Sequence, residues 1–214
     1  MISRLWTTLL AACVTEALLA GQAVAAGGDY VVYGGTPNER AQVSAALDAS
    51  AFDWDIVPAR IAIRITSDPE TYAVPGEICI DGRLLDTGRF AWAIVQHEYA
   101  HQVDFFLLND TIRARLNTLL GGVDWYGFGS PHHLRGVERF ASTLAWAYWP
   151  SSQSALRPEA KTDEAGGMRP ARFRALMATL VDTAPVPTDF FRRAAFSFAP
   201  QRLRTLAFPG ASQF

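Results

Sequence analysis

The chain has 214 residues, which is room for one domain with a sizeable hydrophobic core. Half of its residues are apolar and its formal net charge is −2, so it lacks the basic surface by which proteins bind nucleic acid or anionic membranes. We therefore predict no nucleic-acid partner, and the composition leaves the oligomeric state open.

The N-terminus has the pattern of an export signal. Arg4 precedes an apolar run from Leu5 to Val14, and small residues at positions 23–26 offer a cleavage site. We therefore predict a signal peptide over residues 1–26 and a single secreted domain over residues 27–214. No apolar stretch reaches the roughly 18 residues of a spanning helix, so we expect no integral membrane span in the mature chain.

Both cysteines bear on this prediction. The stretch Leu10-Ala11-Ala12-Cys13 resembles the lipobox of bacterial lipoproteins, but the segment before Cys13 is short for such a signal, so we prefer secretion to lipid anchoring. If the signal is removed, Cys79 is the only cysteine left and no intramolecular disulfide can form. Cys79 lies in an alternating apolar run, which predicts a core residue rather than a nucleophile.

The first half of the mature chain alternates strands with one helix. Thr36 and Glu39 form the pattern of a capping box, which predicts a helix over residues 37–49. Short β-rich runs ended by glycine or proline predict strands at residues 30–33, 61–65 and 77–81. This order places a sheet edge just upstream of the next helix, and an edge strand can bind an extended peptide.

The stretch Phe90 to Asp104 reads F-A-W-A-I-V-Q-H-E-Y-A-H-Q-V-D. Its apolar residues predict a buried helix that ends near Asn109. On a helix, His97 and His101 stand one turn apart on one face, so two imidazoles can bind one metal ion. Glu98 is offset enough to reach a water on that ion without binding the ion itself.

Asp104 continues the same face of this helix, three residues after His101. A carboxylate there is expected to accept the second ring N–H of a ligand histidine. The alternative is a buried helix without a metal, in which the histidines only form hydrogen bonds.

The second half of the chain is predicted to be mostly helical. A helix capped by Asp110 should reach Leu120, and Ser130-Pro131 is a candidate start for another that ends near Tyr148. The polar, Gly- and Pro-rich stretch after Pro150 predicts a surface excursion up to residue 170. Further helices are predicted at residues 171–181, 188–195 and 200–206.

A catalytic zinc site needs three protein ligands and one open position. Downstream of the histidines, the candidates for the third ligand are Glu138, Asp124 and the adjacent pair His132 and His133. Glu138 stands at the head of an apolar helix, where a lone carboxylate is costly to bury without a partner. A metal ion would be such a partner, and Arg139 or solvent is the alternative.

The pattern His97-Glu98-Tyr99-Ala100-His101 followed by Glu138-Arg139-Phe140-Ala141 resembles the zincin metallopeptidases of the glutamate-ligand branch, the gluzincins. The resemblance covers the region from Ile78 to Trp149. It implies that His97, His101 and Glu138 bind zinc and that Glu98 is the general base.

The chain departs from this family at the group that stabilises the oxyanion. Several relatives carry a tyrosine about seven residues before the glutamate ligand, where this chain has Pro131. The substitutes are Tyr126, His132 and His133. The two histidines would point away from the metal if a helix begins at Pro131, and would lie in a loop able to fold over the metal if it begins near Gly136.

A second resemblance competes for the third ligand. The stretch Gly121 to Gly127 reads G-G-V-D-W-Y-G and is similar, one residue short, to the G-T-x-D-x-x-Y-G motif of the aspartate-ligand zincins. It would make Asp124 the ligand and Tyr126 the catalytic tyrosine. The missing residue shifts Asp124 relative to Tyr126, so Glu138 is preferred.

Together these observations predict an α+β fold of the zincin type, in which a small mixed sheet packs on the active-site helix and a mostly helical C-terminal half follows. The predicted function is that of a secreted, Zn²⁺-dependent metallopeptidase acting on peptide or protein substrates, with Glu98 as general base. The alternative is an exported zinc-binding protein that uses the zincin scaffold to bind a partner without catalysis. The intact Glu98 argues against this alternative, and the uncertain oxyanion donor argues for it.

Overall fold

A computed structural model describes residues 28–181. The predicted signal peptide, Cys13 and the helices predicted at residues 188–195 and 200–206 lie outside this range. Among the helices within it, none combines the length and the apolar character that crossing a membrane requires.

Four strands form one small mixed sheet in the order β1-β2-β4-β3. The first three strands in this order are parallel, and β3 pairs antiparallel with β4 at one edge. Alternation in β2 turns its isoleucines into the core, as its sequence predicts. The bounds are β1 Tyr30–Gly34, β2 Ile61–Thr66, β3 Tyr72–Val74 and β4 Glu77–Asp81.

The described part of the chain also has six α-helices, of which α3 packs on the sheet, and it is therefore an α+β fold. Three short 3₁₀ helices lie at residues 54–56, 132–134 and 164–167. The α-helices are α1 Pro37–Ala49, α2 Gly82–Leu85, α3 Arg89–Leu107, α4 Asp110–Leu120, α5 Gly136–Tyr148 and α6 Pro170–Val181.

The predicted strands and helices of this region are confirmed, with small differences. Thr36 and Glu39 form the capping box of α1, each bonding the backbone N–H of the other. Asn109, not Asp110, caps α4, because its side chain accepts from the Ile112 N–H. Strand β3 and helix α2 were not predicted, since three and four residues carry too little periodicity to read.

Helix α3 carries the H-E-x-x-H motif and is buried along nearly its whole length. Its polar side chains hold the neighbouring elements in place. The Gln96 amide donates to the Ala46 carbonyl of α1, while Gln102 accepts from the Gly76 N–H and donates to the Val74 carbonyl at the β3–β4 turn. The sheet and α1 are thereby fixed against the helix that bears the histidines.

The helix predicted to begin at Ser130-Pro131 begins instead at Gly136. The backbone before it is engaged elsewhere: the Val123 N–H donates to the Leu134 carbonyl, and the Gly136 N–H donates to the Asp124 carbonyl. Residues 131–135 therefore lie alongside residues 123–125 and form a single 3₁₀ turn instead of the first turns of an α-helix. The two histidines at 132 and 133 belong to a loop segment, as in the second of the two possibilities that the sequence left open.

The surface excursion predicted for residues 150–170 is only partly correct. This segment is irregular, but it sends several side chains into the interior, namely Ser154, Leu156, Glu164, Ala165 and Met168. The buried positions could not be predicted, because the segment is polar overall and these positions follow no helical or strand period.

Candidate metal centre

His97 and His101 lie on one face of α3, as their spacing predicts. Both side chains are completely buried, and their Nε2 atoms are 3.1 Å apart. Two ring nitrogens can approach so closely in the core only if they share a proton or a cation.

Glu138 comes to these histidines from the first turn of α5. Its Oε2 atom lies 3.2 Å from Nε2 of His97 and 3.4 Å from Nε2 of His101. Helices α3 and α5 approach closely here, because Ala141, one turn beyond Glu138, is small and fully buried. The N-terminal position on α5 also favours a negative charge.

The three side chains fit a metal ion. Ligand atoms about 2.0–2.1 Å from a tetrahedral zinc ion lie about 3.3 Å from one another. The three separations of 3.1, 3.2 and 3.4 Å match this spacing. Within the described residues, His97, His101 and Glu138 form the group close enough to hold a metal, and Oε1 of Glu138 is buried there without a hydrogen-bond partner. Two imidazoles and one carboxylate form a donor set that suits zinc.

The charges around the cluster favour a cation. Burial lowers the pKa of His101, but the charge and hydrogen bond of Glu138, with the charges of Glu98 and Asp104, raise it overall to about 9. Burial raises the pKa of Glu138, yet the charge of His101 and the hydrogen bonds of both histidines hold this pKa well below its usual value. The centre is therefore a buried site of negative potential.

Glu98 is also completely buried, next to His97 on α3. Its charge contributes to the raised pKa of His101, which places its carboxylate within electrostatic reach of the ligand cluster. Glu98 therefore adds a second buried carboxylate near the three candidate ligands.

Of the two neighbouring histidines, only His132 turns toward the cluster. Its Nε2 atom is buried, lies 3.3 Å from Oε2 of Glu138 and makes no hydrogen bond within the described residues. His133 is exposed. These two adjacent side chains point in different directions because they lie in the 3₁₀ turn over residues 132–134.

Two further side chains contact this centre, and the sequence analysis did not find them. Ser142 Oγ lies 3.0 Å from Nδ1 of His97 and donates to Glu164 Oε2 at 2.9 Å. Glu164 Oε1 accepts from Nδ1 of His132 at 2.7 Å. Ser142 could have been predicted from the sequence, since it follows Glu138 by four residues and so lies on the same helix face. Glu164 could not have been predicted from the sequence, because it lies in the segment predicted to be solvent-exposed.

The predicted partnership of Asp104 with a ligand histidine is wrong. Its carboxylate accepts from Arg113 Nε at 2.8 Å, Trp125 Nε1 at 3.1 Å and the Tyr126 hydroxyl at 2.9 Å. Asp104 therefore fastens α4 and the 123–130 loop to α3. The Tyr126 hydroxyl is engaged at Asp104, whereas no described contact joins it to the ligand cluster.

Asp124, the competing third ligand, is exposed and lies outside the cluster. Its backbone pairs with Arg135 in an isolated bridge, so the loop points its side chain to solvent. The structure therefore brings Glu138, and not Asp124, to the two histidines.

Comparison with known proteins gives no relative: the chain matches no family model, no curated protein and no solved structure.

Proposed function

We propose that this protein is a secreted zinc-dependent metallopeptidase of the zincin type. The observation that carries the proposal is the buried cluster of His97, His101 and Glu138 with the acid Glu98 beside it on α3. The N-terminal export pattern supports secretion, and the antiparallel edge strand β3 next to α3 supports an extended peptide as substrate.

The three ligands and Glu98 have different tasks in hydrolysis. His97, His101 and Glu138 would hold the ion. A zinc ion bound there supplies Lewis acidity, which polarises a carbonyl and lowers the pKa of water. Glu98 accepts the proton of the attacking water and then delivers it to the leaving amine. One carboxylate therefore acts first as general base and then as general acid.

His132 is the group best placed to stabilise the oxyanion. Its buried Nε2 faces the cluster, whereas His133 is exposed and the Tyr126 hydroxyl is engaged by Asp104. A preorganised donor aimed at developing negative charge contributes about 100- to 1,000-fold in turnover. His132 therefore takes the role that the sequence left open among three residues.

One observation favours a second candidate, an exported zinc protein that binds a partner without catalysis. His97, His101, Glu98 and Glu138 are all 0 % exposed, as in structural zinc sites, whereas a catalytic site needs an open position. Glu98 favours the peptidase, because it stands at the position that the general base occupies in an H-E-x-x-H motif.

Substitution of Glu98 separates the two candidates. We expect wild-type protein to hold one zinc ion per chain and to cleave fluorescently labelled casein. Glu98→Gln should retain zinc by elemental analysis and lose turnover by about 100- to 10,000-fold, since the proton acceptor is gone and the ligands remain. Unchanged casein cleavage in Glu98→Gln would contradict the role of Glu98, and zinc binding without any cleavage in wild type would favour the second candidate.

A further inference from the structure

Glu164 connects two parts of the metal centre through its two carboxylate oxygens. Oε1 accepts from Nδ1 of His132 at 2.7 Å, and Oε2 accepts from the Ser142 hydroxyl at 2.9 Å. Glu164 is almost fully buried, at 9 % exposed, and comes from a short 3₁₀ helix rather than from α3 or α5. A buried carboxylate requires such donors, so this arrangement is specific.

The Ser142 branch determines which nitrogen of His97 carries a proton. An ionised carboxylate only accepts hydrogen bonds, so the single Ser142 hydroxyl proton points to Glu164. Ser142 Oγ is then an acceptor for the Nδ1–H of His97, 3.0 Å away. This leaves Nε2 of His97 with a free lone pair on the side of Glu138 and His101, where a metal ion needs it.

The His132 branch also holds a proton at Nδ1, but its Nε2 must carry a proton as well, since only an N–H can donate to an oxyanion. Its Nδ1–H donates to Glu164, which turns Nε2 to within 3.3 Å of Glu138. Both carboxylate oxygens of Glu164 accept hydrogen bonds, from His132 Nδ1 and from the Ser142 hydroxyl, and such donation favours the ionised form. The ionised form that both branches require is therefore the stable one.

The segment that carries Glu164 is held to α5 independently of these contacts. The Arg139 guanidinium donates to the carbonyls of Lys161 and Thr162, and also to that of His133 in the loop that bears His132. Gly167 packs so closely on the Leu120 carbonyl that a Cβ atom there would lie 2.6 Å from it. Glu164 is thus presented by a fixed backbone, as a residue that orients others must be.

We infer that Glu164 is a positioning residue that acts on the metal centre at two points: it sets the ring of His97 for metal binding through Ser142, and it aims His132 directly. The His132 half rests on the proposed function, while the His97 half requires only that the cluster binds zinc.

Zinc affinity tests the His97 half without any activity measurement. Zn²⁺ dissociation constants, measured by competition with a chromophoric chelator, should rise by about 10- to 100-fold in Glu164→Gln and in Ser142→Ala. The double variant should bind Zn²⁺ about as tightly as the single variant with the larger loss of affinity, because both changes break the same hydrogen-bond chain. Glu159→Gln, which changes an exposed glutamate of the same segment, is the matched control and should match wild type.

A dissociation constant for Glu164→Gln within about twofold of wild type would overturn the His97 half. Fully additive losses in the double variant would also overturn it, because the two residues would then act separately. If Glu164→Gln does not fold, as judged by circular dichroism, Ser142→Ala still decides: wild-type zinc affinity in that variant contradicts the chain from Glu164 to His97.

The His132 half is tested by ¹⁵N nuclear magnetic resonance of histidine side chains in the zinc-loaded protein, which has only four histidines. Wild type should show His132 protonated at both Nδ1 and Nε2, as donation to Glu164 and to an oxyanion requires, and Glu164→Gln should shift or average these signals while Glu159→Gln leaves them unchanged. Identical His132 signals in Glu164→Gln would overturn this half. Absence of casein cleavage in wild type would contradict the proposed peptidase and would leave these spectra and affinities as the test of Glu164.

Discussion

Two completely buried carboxylates, Asp104 and Glu138, flank His101, and their surroundings are opposite. Both oxygens of Asp104 are satisfied by protein donors, including the cationic Arg113. Glu138 meets only histidine ring nitrogens, and its Oε1 has no hydrogen-bond partner among the described residues. Burial alone therefore does not identify a metal ligand. The deficit of donors at Glu138 does, since burying a carboxylate oxygen such as Oε1 without a hydrogen-bond donor is costly until a cation binds there.

The comparison predicts that Asp104 supports stability and not metal binding. Asp104→Asn should lower the free energy of unfolding by about 3–5 kcal/mol, because it removes the buried counter-charge of Arg113, whose other acidic partner, Asp110, is exposed. Chemical denaturation of the zinc-free and zinc-loaded proteins should give the same loss. Zinc content should stay at that of wild type. A variant that folds as stably as wild type but loses zinc would reverse the roles assigned to the two acids.

The converse prediction concerns Glu138 and the response to zinc. Free zinc at about 100 times the dissociation constant should stabilise wild type by about 2.7 kcal/mol, which corresponds to a rise in melting temperature of roughly 5–10 °C. Glu138→Ala should abolish this rise, because the charged ligand is gone. Asp124→Ala, which removes an exposed acid, is the control and should keep the full response. A zinc response that survives in Glu138→Ala would place the metal elsewhere.

Much of the fold could be predicted because it depends on local patterns. The capping box at Thr36, the alternation in β2 and the glycine after Leu120 determine their elements within a few residues. The grouping of His97 and His101 follows from one turn of helix. Strand β3 could not be predicted, because three residues become a strand only when β4 pairs with them.

The parts of the site that sequence reasoning missed depend on contacts between distant segments. Glu164 reaches Ser142 and His132 across 22 and 32 residues of chain. Asp104 had the correct helical spacing for a ligand histidine, yet Arg113, Trp125 and Tyr126 compete for it more strongly. Helical spacing predicts which residues share a face, and it does not predict which donors other elements bring to that face.

The smallest effect is expected at Tyr126, and it distinguishes a structural hydroxyl from a catalytic one. Tyr126→Phe keeps the ring and removes the hydrogen bond to Asp104, whose other oxygen still accepts from Arg113 and Trp125. We therefore expect a loss of about 1 kcal/mol in the free energy of unfolding and turnover close to that of wild type. His132→Gln should show the opposite pattern, with little change in stability and turnover lowered by about 100-fold or more. If Tyr126→Phe instead loses turnover without losing stability, its hydroxyl leaves Asp104 during the reaction and takes the oxyanion role assigned to His132.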